Sequence, residues 1–152
     1  MTDPVSFDST SPRFAMPLLF SGQAQKEVYV NEAISLLDGL CHCAIEAELA
    51  APPASPIDGQ AWLVGTGASG DWSGRTGHVA LRQAGQWLYV APRDGMRVLN
   101  RATGQDLRRV AGVWRAVSPP AAPTGGSVID AEVRASLSAL VAALRQAGIF
   151  AA

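Results

Sequence analysis

The stretch Ser21-Gly22-Gln23-Ala24-Gln25-Lys26-Glu27-Val28-Tyr29-Val30-Asn31-Glu32-Ala33-Ile34-Ser35-Leu36-Leu37 constrains this chain more than any other part of it. Val30, Ile34, Leu37, Cys41 and Ala44 follow at alternating steps of four and three, the spacing that collects side chains on one face of an α-helix. Leu36 and Leu40 widen that stripe enough to bury it against a sheet or other helices. Ser21 offers a hydroxyl to the free amides of a first turn. The pattern therefore predicts a long N-terminal helix starting at Ser21 and running to about Ala44, within a segment 21–49. Its other face is unusually polar, with Gln23, Gln25, Lys26, Asn31 and Glu32, and Asn31 needs a hydrogen-bonding reason to sit mid-helix.

The rest of the chain divides around this element. Residues 1–20 carry Asp3, Pro4, Asp8, Ser9, Thr10, Ser11 and Pro12, then the short apolar patch Phe14, Met16, Leu18, Leu19 and Phe20. They read as an extended arm, loose by itself or draped over a neighbour. Ala50 to Pro56 cannot continue a helix. From there the period changes. Short β-forming runs occur at Ala61–Val64, Val79–Leu81, Trp87–Val90, Met96–Leu99, Leu107–Val110 and Val113–Val117, divided by Gly-rich turn signals. Connections this short predict a small antiparallel β domain over 50–118, a meander or small barrel. Gly85-Gln86-Trp87 and Gly112-Val113-Trp114 form a weak echo, too short to define a repeat architecture. A Pro/Gly linker follows at 119–126, and 127–152 reads as a C-terminal helix with Ser127 and Asp130 as a capping box. Val133, Leu137, Leu140, Leu144 and Ala147 step by 4, 3, 4 and 3. So short a helix is marginal alone in water and must pack on the first helix or on copies of itself. The fold class expected is α+β.

The run Gln23-Ala24-Gln25-Lys26, Asn31-Glu32-Ala33 and Leu37-Asp38 resembles the signature of a family of domains of unknown function. That family occurs in tail and fibre proteins of prophages and of phage-like gene transfer agents. Further similarities fall at Ala51–Pro56, Asp58-Gly59, Val64-Gly65, Gly70-Asp71-Trp72, Gly77, Trp87 and Ala91–Gly95, so the likeness spans roughly Met16 to Val117. It implies a virion or phage-like particle as the location, assembled in the bacterial cytoplasm. It also implies a homotrimer, other virion proteins as partners, and no reaction or cofactor. Val30, Ile34, Leu37, Cys41, Val133, Leu137, Leu140 and Leu144 are then the residues expected to meet other subunits or the particle.

Composition narrows the chemistry. With 12 basic and 13 acidic residues the net charge is −1, which gives no global pull toward nucleic acid or an anionic membrane. All the cations but Lys26 are arginine; a GC-rich genome explains that, and so does recognition of carboxylate or phosphate groups, including those of acidic polysaccharides. No apolar run is long enough for a membrane span, and the N-terminus lacks a signal-peptide pattern. Cys41-His42-Cys43 suggests a metal site, yet on a helix alternate residues point about 200° apart and cannot close around one ion. No nucleophile–base motif is present. Gly65-Thr66-Gly67-Ala68-Ser69-Gly70 matches a dinucleotide fingerprint only by letters, because no helix follows. Acid pairs from Asp58, Asp71, Asp94 and Asp106 would be needed for a polysaccharide-degrading enzyme. Asp58-Gly59 and Asp94-Gly95 are better read as turn dipeptides.

What remains is binding. Trp62, Trp87 and Trp114 fall in β-runs and read as core. Trp72 lies in the Gly-rich loop beside Asp71, Ser73 and Arg75, where an exposed indole could stack a sugar ring or fold back to cap the sheet. Trp72, Asp71 and Arg75 are the candidate glycan site. The function expected is a structural or adsorption component of a phage-like particle; the alternatives are a spike enzyme or a host-side adaptor from a prophage remnant.

Overall fold

The computed structural model describes residues 9–22, 24–125 and 130–152. The start of the arm (1–8), Gln23 of the signature and Ser127 of the expected capping box lie outside them. The chain divides into two compact units, Met1–Ala91 and Pro92–Ala152.

Two helices and eight strands make up the described chain: α1 (Lys26–Leu40), β1 (Ala44–Ile45), β2 (Glu48–Leu49), β3 (Ala61–Val64), β4 (Val79–Gln83), β5 (Gln86–Val90), β6 (Arg97–Asn100), β7 (Gln105–Val110), β8 (Val113–Arg115) and α2 (Ala131–Gln146). The expectation of a long N-terminal helix and a closed or purely antiparallel β domain is corrected. The fold is mostly β, in two open sheets, β1-β6-β7-β8 and β2-β3-β4-β5, and the latter is mixed because β2 runs parallel to β3. The six β-runs expected from Ala61 onward are present. β1 and β2 are new and occupy residues assigned to the helix.

Both ends of α1 explain the shortening. Ala24 and Gln25 have φ of 57° and 65°, a left-handed turn that keeps Ser21 from capping the helix. At the other end Cys41 is extended and His42 has φ 47°, so the helix stops at Leu40. Cys41-His42-Cys43 is therefore a turn leading to β1, not helix.

The residues that α1 buries are not those of the apolar stripe. Ser35, Asp38 and Gly39 are its buried residues, whereas Val28, Tyr29, Val30 and Leu37 face solvent. The arm runs back along α1, fastened to its polar side chains. Glu27 Oε1 accepts from Gly22 N at 3.1 Å. Asn31 accepts from Leu19 N (2.8 Å) and donates to Leu19 O (3.0 Å). Asp38 accepts from Ser11 Oγ (2.7 Å), Phe14 N (2.8 Å) and Arg13 N (3.0 Å). Arg13 closes the helix end, donating to the carbonyls of Asp38, Gly39, Cys41 and His42 at 2.8–3.1 Å. Orphan carbonyls and an extended backbone are thus satisfied together. Asn31 sits mid-helix because it mimics a strand's hydrogen-bonding edge.

Each unit contains a three-stranded antiparallel meander, β3-β4-β5 in the first and β6-β7-β8 in the second. They share one plan. Gly59 N donates to Arg82 O (2.8 Å) and Arg82 N to Gln60 O (2.9 Å); Gly95 N donates to Arg109 O (2.9 Å) and Arg109 N to Met96 O (2.9 Å). The hairpin turns Ala84-Gly85 and Ala111-Gly112 have successive positive φ values, 46° and 73° against 50° and 73°, as two-residue hairpin loops require. Asp58 accepts from Gly85 N and Asp94 from Gly112 N, each at 3.0 Å. Arg82 lies over Trp87 (5.1 Å) and Arg109 over Trp114 (5.8 Å). The weak echo in the sequence is one piece of a longer correspondence, in which 58–61 matches 94–97 and 80–88 matches 107–115.

Candidate functional site

The Gly-rich loop folds inward. After β3 the chain makes a single 3₁₀ turn, Gly70–Trp72, and Trp72 is 0% exposed. Its ring packs edge-on against Trp87 at 5.2 Å between centroids and lies 6.4 Å from Trp62, in a cluster with Val64 and Ala80. Of the two readings of Trp72, the indole folded back over the sheet is the one found, so it has no face to present to a sugar. Asp71 and Arg75 are exposed, and they converge on Tyr89. The Tyr89 hydroxyl donates to Asp71 O at 2.7 Å, and the Arg75 guanidinium stacks over the Tyr89 ring at 4.8 Å. Burial, then the Asp71 charge, push the Tyr89 phenol above its ordinary pKa, with Arg75 opposing. Asp71, Arg75 and Tyr89 thus fasten the loop to β5. Tyr89 was legible as a partner only through its two-residue spacing from Trp87, which puts both on one sheet face.

The predicted contact residues fall into two groups. On α1, Val30 and Leu37 are exposed, Leu37 at 60%, Ile34 is half-buried, and Cys41 lies exposed beyond the helix end. Cys43 is buried, which pushes its thiol up against a smaller opposing effect of Arg13. Among the described residues no group of His, Cys, Asp and Glu is placed to hold a metal ion. No described helix is long and apolar enough to cross a membrane.

The second group lies on α2. Asp130 is its N-cap, accepting from Val133 N at 2.9 Å. None of the sixteen residues of the helix is buried. Val133 is 61% and Leu140 55% exposed; Leu137 is partly shaded and Leu144 half-buried. The helix is held at its two ends. Arg134 donates to Pro123 O and Gly125 O at the start. Beyond the end, Gln105 donates to Ile149 O (2.8 Å) and Phe150 is buried. Between Pro119–Pro123 and Leu137, Ser138, Val141 and Arg145 an open cleft of about 270 Å³ remains.

A third feature was missed in the sequence. Arg97, Arg108 and Arg115 are cross-strand partners in one row over β6, β7 and β8, and all three are exposed. Pairing the two meanders through Asp58-Gly59 and Asp94-Gly95 would have exposed that row.

Residues 30–115 match the family described as Protein of unknown function (DUF2793), more than half of the chain. The chain belongs to that family. The DUF2793 match takes in Asn31, Asp38 and both meanders and ends before α2. The family description names no activity, ligand or location, so the particle context rests on the resemblance of the α1 signature alone. Among curated proteins none matches the chain.

Proposed function

We propose that this DUF2793 chain is a self-associating structural and adsorption component of a phage-like particle, a tail fibre or spike, with α2 as its assembly element. The observation that carries the assembly reading is a sixteen-residue helix with no buried residue and an apolar stripe in water. A helix of this length gains little from propensity, so its stability has to come from packing. In heptad terms Leu137 and Leu144 take a positions, and Val133 and Leu140 take d positions. Leucine at a with a β-branched residue at d favours trimers or tetramers over dimers, and of the two d residues Val133 meets that pattern while Leu140 does not. The flanking positions are Arg134, Ser136, Val141 and Ala143, so little charge opposes a third strand. The particle setting is supported by the signature resemblance. The glycan half of the reading no longer has Trp72 to rest on.

The test is mass in solution. Sedimentation equilibrium of the whole chain is expected to give a trimer, and Leu137→Glu with Leu140→Glu a folded monomer. Substitution is preferable to truncation, because Phe150 and the Gln105–Ile149 bond anchor the chain beyond α2. A monomeric parent chain refutes the assembly role.

A further inference from the structure

The two meanders share a backbone plan, and one row shows the sharpest change of chemistry between them. In the first unit the row across β3, β4 and β5 is Ala61–Leu81–Leu88. Ala61 and Leu81 are buried, and Leu81 packs where Gly39 of α1 leaves room for it. In the second unit the equivalent row is Arg97–Arg108–Arg115. It is exposed, and none of the three side chains has a hydrogen-bond or ion-pair partner among the described residues. Asp106, opposite exposed Leu99, is the single carboxylate on that face of the three strands, and the exposed pair Val110 and Val113 lies beyond Arg108.

Like charges directly opposite one another on neighbouring strands destabilise a sheet. Ordinary surfaces intersperse the two signs. Here the face opposite the buried Val98 and Leu107 stacks three guanidinium groups with a strand-to-strand repeat of about 4.8 Å. Such a row becomes favourable when an anion spans it.

We propose that Arg97, Arg108 and Arg115 form a binding site for a carboxylated polysaccharide. The guanidinium fork matches a carboxylate with two parallel hydrogen bonds. A chain of uronic-acid-like sugars carries one carboxylate per sugar, so a row of guanidinium groups can engage more than one of them, and Leu99, Val110 and Val113 offer apolar surface to the ring faces. Nucleic acid fits less well. Single strands need aromatic platforms on the binding face, and Trp114 lies on the opposite face with Arg109 over it. Duplex recognition needs an element that enters a groove, and this face is a flat sheet. The inference gives the adsorption half of the proposed function its ligand class and rests on that reading for its biological setting only.

The experiment is calorimetric titration of the full chain with oligogalacturonate in low salt. Neutral dextran and a single-stranded oligonucleotide of matched charge serve as the comparison arms. Oligogalacturonate is expected to bind, with affinity falling steeply as salt rises, and dextran is expected not to bind. Each of Arg97→Gln, Arg108→Gln and Arg115→Gln should weaken binding about tenfold, the loss of one charge-assisted contact. The same variants should melt at or above the parent temperature, because a like-charge neighbour has been removed; a structural arginine would give the reverse. The Leu137→Glu, Leu140→Glu chain should keep its affinity per subunit, which separates failure of this site from failure of assembly. No binding of oligogalacturonate, parent-like binding by the triple Arg→Gln chain, or tighter binding of the oligonucleotide would each overturn the proposal.

Discussion

Asp38 gives the sharpest test of how the arm is held. Its Oδ1 receives Ser11 Oγ and Phe14 N, its Oδ2 receives Arg13 N, and the residue is 1% exposed. In Asp38→Asn the side-chain oxygen best takes the Oδ1 position and keeps two donors. The new NH₂ then faces Arg13 N, donor against donor. In the flipped orientation it faces Phe14 N instead. Either way one backbone amide loses its acceptor, a cost of about 2 kcal/mol. Asp38→Ala strands all three donors and should cost about 4 kcal/mol, short of three full penalties because the part-buried arm rehydrates as it lifts. Two readouts separate these outcomes. Urea unfolding reports the total, and amide exchange at Arg13 and Phe14 reports the arm, where a loss of 2 kcal/mol speeds exchange roughly thirtyfold. The reasoning fails if Asp38→Asn unfolds within about 0.5 kcal/mol of the parent, inside the range of ordinary surface substitutions. It also fails if Ala and Asn at this position are equivalent.

Three further outcomes are expected. Gly39→Ala should destabilise by about 1–2 kcal/mol in thermal unfolding despite alanine's helix propensity, because its Cβ would overlap the Leu81 side chain; a stabilised variant would mean that Leu81 moves aside freely. Trp72→Phe should cost far less than Trp72→Ala, which is expected to lose about 4 kcal/mol by denaturant unfolding, since the Trp72 Nε1 has no hydrogen-bond partner to forfeit; equal losses would point to a polar role for the indole. Iodoacetamide should label exposed Cys41 well ahead of buried Cys43, whose thiol pKa is raised above the ordinary cysteine value by burial. Because the fold favours the neutral Cys43 thiol, its contribution is whole below about pH 9 and fades as pH climbs through the folded value; equal labelling rates at pH 8 would contradict the burial.

The β-runs, their turns and the C-terminal helix were legible because each is local: alternation, an Ala-Gly or Asp-Gly pair, and a stripe of leucines. The extent and packed face of α1 were not legible, for one reason. Periodicity assumes that apolar residues mark the packed face, whereas α1 packs through Asn31, Ser35, Asp38 and Gly39 onto backbone that only tertiary structure brings near. Asn31 is out of place for a helix interior, but its partner at Leu19 carries no sequence signal. Trp72 was placed by loop composition, and glycine-rich segments turn sharply enough to send a side chain inward. The arginine row needs cross-strand register, which depends on where each hairpin turns.

The exposed row of the second meander has a consequence for variation. A row of side chains that supports no core is free to change charge or size without unsettling the strands beneath it, while its counterpart under α1 is locked by fit. Three codons therefore suffice to give this surface a new chemical preference, and differences among related chains are expected to concentrate there before they touch the tryptophans.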